Sequence, residues 1–251
     1  MPPSLKGFVS KLEEFTVEPL FDGHLRIYQP KSGYRYAIDP IILCAHLSPP
    51  PGSHIIDIGC GCGIMPVIIG HRFPETTITG IELQKPLADL AKRNCTENHP
   101  DRHIRILNSD ILDVSPKDIS PPANIIISNP PFKKKLTGRL NPNPQKAIAR
   151  HEITLTIEQL FSHAGKLLSQ GGRLMIIFPS DRLPDLFLTA EKTDMTPEWI
   201  RFIHPVEEKE ANRVIFCTVK DTQTSCRVLP PLTLYSKQHI PTPDYKNLFT
   251  P

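Results

Sequence analysis

No window of the 251 residues approaches the roughly 18 consecutive apolar residues that a bilayer-spanning helix requires, which excludes a helical membrane protein. The opening stretch, Met1 to Phe15, holds Lys6, Lys11, Glu13 and Glu14 and no continuous apolar core, so it does not read as a secretory signal. Cysteine is sparse. Six thiols (Cys44, Cys60, Cys62, Cys95, Cys217 and Cys226) in a chain this long exclude a disulfide-built scaffold and make a cytoplasmic location the expectation. Cys60 and Cys62 have no Cys or His near them at zinc-finger spacing, so no metal is expected. Net charge is small as well: 29 Lys+Arg against 26 Asp+Glu leaves +3, which excludes a uniformly polybasic binder. No internal repeat is present. Proline is plentiful at 28, yet with 13 Gly it stays below the roughly 25–30% of a low-complexity chain, and the prolines fall between apolar runs.

What remains is the pattern of one large folded domain. Thr16–Phe21 and His24–Tyr28 flank Asp22-Gly23, a dipeptide suited to a hairpin turn. Asp39-Pro40 marks a helix start before the apolar stretch Ile41–Leu47. Strands are predicted at 55–58, 77–81, 104–107, 124–127 and 173–178, with helices at 64–71, 86–98 and 156–168. The last of these is expected to close at Gly171-Gly172. Strand and helix alternating at this spacing imply parallel strands with crossover helices. Segments 199–203 and 213–219 have no long helix between them and are expected to pair antiparallel. The organisation expected is an extension over residues 1–50, a central α/β domain over 51–235, and a tail over 236–251 that is loose or docked as a strap.

Two groups of residues carry chemistry. Asp57-Ile58-Gly59-Cys60-Gly61-Cys62-Gly63 follows a buried strand and precedes a helix, so the backbone can turn sharply and approach a ligand there. A dinucleotide fingerprint would place its third glycine at Ile64; Gly63 comes one residue early, which suits S-adenosylmethionine better. Glu82 ends the next strand 23 residues after Gly59, close to the roughly 20 expected for a carboxylate on ribose hydroxyls. Asp110 follows the third strand and can accept from an adenine amino group. Asp57 either orients the turn or reaches the methionine amino group.

The second group is Asn129-Pro130-Pro131-Phe132 after the fourth strand, a combination that composition alone would rarely produce. It suits an amine as methyl acceptor. The Asn129 side-chain oxygen and the Pro130 carbonyl can each accept one N–H, turning the nitrogen lone pair toward the methyl, while Phe132 stacks on the base.

On these residues the chain resembles the class I S-adenosylmethionine-dependent N-methyltransferases with an Asn-Pro-Pro-aromatic motif. More narrowly it is similar to the bacterial tRNA1(Val) adenine-37-N6-methyltransferase family. Beyond the two groups above, the narrower likeness rests on several outer segments: Gln29-Pro30, Gly33-Tyr34-Arg35-Tyr36 with Asp39, Ala149-Arg150-His151-Glu152, His204-Pro205 with Lys209–Asn212, and Leu229–Leu232. The resemblance implies a Rossmann-like, seven-stranded, mostly parallel sheet with helices on both faces and the last strand antiparallel. It also implies a Gly33–Asp39 segment over the cofactor, with Tyr34 and Arg35 near it. Two positions depart from the family: Cys62 stands where Thr or Ser is usual, and Lys133 where a second aromatic is common.

Between residues 119 and 151 lie Lys133, Lys134, Lys135, Arg139, Lys146 and Arg150 and no acid, so this stretch is +6 and the rest of the chain −3. A basic loop beside the reactive amine suits phosphate contacts around a target base. The expected activity is therefore methylation of adenine N6 in tRNA, with the anticodon stem-loop as partner. The rivals are glutamine N5 methylation of a release factor, guanine N2 methylation of ribosomal RNA and a non-catalytic RNA-binding module. The release-factor enzymes usually carry a helical N-terminal domain, whereas the start here reads as a hairpin.

Overall fold

A computed structural model describes residues 15–32, 35–102, 104–130 and 155–250. Strand β3 (His54–Ile58) is buried at every position and lies at the middle of the sheet, as a strand covered on both faces must be. It pairs in parallel with β4 (Thr77–Glu82) on one side and β6 (Ala123–Ser128) on the other. β5 (Ile104–Asn108) continues beyond β4, and β7 (Leu168–Pro179) beyond β6. β9 (Arg213–Lys220) runs antiparallel to both β7 and β8 (Met195–Val206). The order β5-β4-β3-β6-β7-β9-β8 is the expected seven-stranded sheet. Two short strands, β10 (Arg227–Val228) and β11 (Leu232–Tyr235), pair with the outer edge of β8 and bring the count to nine among the described residues. They were not legible because Pro230 and Pro231 interrupt the segment and each strand is short.

Helices cover both faces. On one side lie α1 (Asp39–Cys44), α2 (Ile64–Arg72) and α3 (Lys85–Asn98), packed with Ile55, Ile125, Ile127 and Ile177. On the other lie α4 (Ile157–Leu167) and α5 (Leu183–Lys192), packed with Ile56, Ile126, Leu174 and Ile176. α3 buries Leu87, Ala88, Leu90, Ala91, Asn94 and Cys95, the i, i+3, i+4, i+7 stripe of a helix with one face on a sheet. α4 begins in a capping box, Gln159 N donating to Thr156 Oγ1 at 3.2 Å and Thr156 N to Gln159 Oε1 at 2.9 Å.

The helix expected over 156–168 gives way directly to β7, and Gly171-Gly172 do not cap it. Gly171, at φ +71°, and Gly172 lie inside β7 where its register with β6 shifts, so the glycines serve a bulge rather than a helix end. β1 (Phe15–Leu20) and β2 (Leu25–Pro30) form the expected hairpin, with positive φ at Phe21, Asp22 and Gly23. Phe21, Leu25 and Ile27 belong to the same apolar core as α1, α2 and α3. The tail is docked. α6 (Pro243–Asn247) brings Leu248 into that core, and Arg72 at the end of α2 donates to the Leu248 and Thr250 carbonyls at 2.7 Å each.

Candidate active site

Four parallel strands end at one edge, and each delivers a polar group there. β3 runs into the glycine turn, in which Gly59, Gly61 and Gly63 have φ of +78°, +57° and +85°. Gly59 N and Cys60 N both donate to the Ile81 carbonyl, at 2.8 and 3.1 Å, folding the turn against the end of β4. A Cβ at Gly63 would lie 3.0 Å from Ala91 Cα and Cβ, so this glycine is required by contact with α3 as well as by its φ. Gly80 makes room in the same way for Cys60: a Cβ there would lie 2.9 Å from Cys60 Sγ. The thiols of Cys60 and Cys62 are buried, and burial pushes the Cys62 thiol up to about 12. Both are side chains of the core. Among the described residues no group of three or more His, Cys, Asp or Glu could hold a metal ion.

Glu82 ends β4 almost fully buried. Its Oε2 accepts from Gly61 N at 2.9 Å and its Oε1 from Gln84 N at 2.8 Å. Burial raises its pKa, and the backbone N–H groups of Gln84, Gly61 and Leu83 act in the opposite direction. The carboxylate keeps acceptor capacity for a ligand hydroxyl. Asp110 accepts from Leu112 N at 2.9 Å and so caps the 3-10 turn after β5. Asn108 Nδ2 donates to the carbonyls of Glu82 and Leu83 at 2.9 Å each, holding the two strand ends together.

Asp57 has no exposed surface, and neither of its carboxyl oxygens has a hydrogen-bond partner among the described residues. Burial first, and the neighbouring Glu82 charge second, raise its pKa well above the carboxylate range. At the end of β6, Ser128 Oγ donates to the Ile58 carbonyl at 2.7 Å and ties the strand to the glycine turn. Asn129 Oδ1, next in sequence, is buried without a partner among the described residues, and Pro130 is buried beside it. A buried acceptor with no donor costs about 1–3 kcal/mol, so Asp57 and Asn129 are both places where a ligand's N–H groups would be bound favourably. Glycines with left-handed φ, a buried carboxylate at the neighbouring strand end and these orphaned acceptors together fit S-adenosylmethionine.

Arg35, expected near the cofactor, is anchored on the hairpin. It pairs with Glu18 and donates to Thr16 Oγ1 at 2.7 Å and the Pro30 carbonyl at 3.0 Å. Tyr34, Phe132, Lys133, Lys134, Lys135, Arg139, Lys146 and Arg150 lie outside the described residues. Tyr36 N donates to Gln29 Oε1 at 2.9 Å, which joins the segment after the hairpin to β2. Leu83, directly after Glu82, is an apolar residue 41% exposed, and the Ser128 bond to Ile58 has no signal in the sequence. A cavity of ≈ 400 Å³ lined by His46, Asn124, Arg173 and Trp199 opens at the opposite, amino-terminal end of the strands, remote from Asn129.

Residues 38–187 match the family model described as Methyltransferase small domain. A protein of Porphyromonas gingivalis named tRNA1(Val) (adenine(37)-N6)-methyltransferase is 33% identical over 75% of this chain and 76% of its own length. One of the same name from Vibrio parahaemolyticus is 26% identical over 94% of this chain and 92% of its own. Among solved structures, a predicted O-methyltransferase of Agrobacterium tumefaciens shares the fold, with a TM-score of 0.67 and 19% identity over 84% of this chain and 94% of that one.

Proposed function

This chain belongs to the methyltransferase small-domain family and, within it, to the tRNA1(Val) (adenine(37)-N6)-methyltransferase group, and we propose that it methylates the N6 amine of adenosine 37 in the anticodon loop of a valine tRNA. S-adenosylmethionine is the methyl source; it supplies an electrophilic carbon on a positively charged sulfur. The observation that carries the reading is Asn129 Oδ1 at the end of β6, one strand from the glycine turn, buried and without a partner among the described residues.

In this reading Glu82 accepts from the ribose hydroxyls and Asp110 from the adenine amino group of the cofactor, while Asp57 faces its ammonium end. An exocyclic adenine amine is a weak nucleophile because its lone pair is delocalised into the ring. Asn129 Oδ1 and the Pro130 carbonyl accept its two N–H bonds, which favours a pyramidal nitrogen with the lone pair aimed at the methyl carbon. The fixed φ of Pro130 and Pro131 keeps that carbonyl in place, and Phe132 stacks on the base. The nitrogen's pair forms the new C–N bond as the C–S bond breaks. The proton becomes acidic only as that bond forms and leaves to solvent, so no strong base is needed. Lys133, Lys134, Lys135, Arg139, Lys146 and Arg150 contact phosphates around the target. An anticodon-loop base is already single-stranded, so displacing it costs less than opening a duplex.

The test is transfer of labelled methyl to total tRNA from a strain lacking the gene, followed by nucleoside analysis. N6-methyladenosine in a valine tRNA is the expected product. Label that resists ribonuclease and yields to protease would move the assignment to a protein glutamine, and N2-methylguanosine would move it to another base.

A further inference from the structure

Two asparagines one turn apart on α3 face the backbone of β2. Asn98 Oδ1 accepts the Arg26 N–H and its Nδ2 donates to the Arg26 carbonyl, both at 2.8 Å. Asn94 does the same with Tyr28, both bonds at 2.9 Å. Four residues of helix advance about 6 Å and two residues of strand about 6.6–6.8 Å, so helix and strand match in step. The other edge of β2 is taken by β1, and the two carboxamides act as its second ladder.

The two asparagines differ in their remaining bond. Asn98 Nδ2 donates back to its own helix, to the Asn94 carbonyl at 2.7 Å. Asn94 Nδ2 donates outward, to the Cys62 carbonyl at 2.7 Å. Cys62 lies between Gly61 and Gly63, in a turn whose glycines have no side chains to hold it. Asn94 is completely buried, with its oxygen and its two N–H bonds all used, so its carboxamide has one available orientation.

We propose that Asn94 is a positioning residue for the cofactor turn: it holds the Cys62 peptide in the orientation that receives S-adenosylmethionine and, through Tyr28, couples the seating of the hairpin to cofactor occupancy. The inference rests on the reading that Gly59–Gly63 is the cofactor turn. Coupling of this kind is reciprocal, because a ligand that stabilises the turn must also stabilise what the turn is bonded to.

S-adenosylhomocysteine titrated into the full chain, with amide exchange followed by NMR, separates the outcomes. In the wild type the ligand should slow exchange at the turn amides and at Tyr28 N–H, and leave Arg26 N–H little changed. Asn94→Ala should raise the ligand Kd about tenfold, the size expected for one lost buried hydrogen bond, and raise the KM for S-adenosylmethionine with kcat less affected. Asn98→Ala should speed exchange at Arg26 while Kd stays within about twofold of wild type, because it removes a hairpin contact but no turn contact. Equal increases in Kd for the two variants, or an unchanged Kd in folded Asn94→Ala, would overturn the proposal. Should Asn94→Ala fail to fold, the wild-type exchange pattern decides: slowing at the turn without slowing at Tyr28 overturns it. No slowing at Gly59–Gly63 in the wild type would instead remove the reading of the turn itself.

Discussion

Gly61 donates its backbone N–H to Glu82 Oε2 at 2.9 Å, joining the turn after β3 to the carboxylate that ends β4. The ribose-binding carboxylate of the proposed site is thus oriented by the same turn that approaches the rest of the cofactor. Two parallel strands paired from His54↔Thr77 to Ile58↔Ile81 bring them together.

Replacing Glu82 with Ala should weaken S-adenosylhomocysteine binding by at least about tenfold and also lower stability. It leaves the Gly61 and Gln84 N–H groups without their acceptor, at about 1–3 kcal/mol for each that stays buried. Calorimetric titration and urea unfolding measure the two effects separately.

Asn129→Ala should lower kcat by about 10²-fold or more while cofactor Kd changes little, since the lost oxygen acts on the methyl-accepting amine. Rapid-quench turnover combined with a binding titration checks this. Full activity in the alanine variant would remove the assigned role.

Gly63→Ala should destabilise the protein more than Gly59→Ala. Both have left-handed φ, worth about 1–2 kcal/mol of strain, but only the Gly63 Cβ meets an obstacle, Ala91 at 3.0 Å, whereas Gly59 has open space. The order of urea midpoints tests the comparison.

His46 should make the fold acid-sensitive. Its Nδ1–H donates to the Ile42 carbonyl at 2.7 Å and its Nε2 accepts from Arg201 at 3.0 Å, so the ring is held neutral. Burial first, and the Arg201 charge as well, lower its pKa from 6.5 to about 4, against the raising effect of the Ile42 bond. Between those values the unfolded chain binds more protons than the folded one. Stability should therefore fall as pH drops from 6.5 toward 4. Asp57 acts in the opposite sense. Its folded pKa is raised, so the stability it contributes is complete below its unfolded value of 3.8 and is lost as pH rises toward the folded one. His46→Gln should flatten the acid side of the stability profile, and Asp57→Asn the slope above pH 3.8.

Changing Lys133, Lys134 and Lys135 together to Gln should weaken tRNA binding and reduce the slope of log K against log salt by up to about 3. Filter binding across salt concentrations measures it. An unchanged slope would place the phosphate contacts elsewhere.

Residue type and spacing alone specify the alternation of strands and helices, the position of the glycine turn, and the carboxylates and Asn-Pro-Pro-Phe motif after predicted strands. All of these are local: β3 through α3 and the end of β6 follow from residue type and spacing over a few positions. The tertiary structure alone decided what depends on groups distant in the chain. Gly171-Gly172 looked like a helix stop, yet pairing of β7 with β6 makes them a bulge. Arg35 is anchored by Glu18 and Thr16 on β1, partners that only the folded hairpin brings to it. Asn94 and Asn98 fall within the predicted helix over 86–98, and nothing in the sequence sets them apart. Only packing of α3 against β2 turns them into a substitute strand, and only burial beside Cys62 gives Asn94 its third bond. Hydrogen bonds between segments about 70 residues apart have no signature in either segment alone, because each is satisfied by water until the fold excludes it.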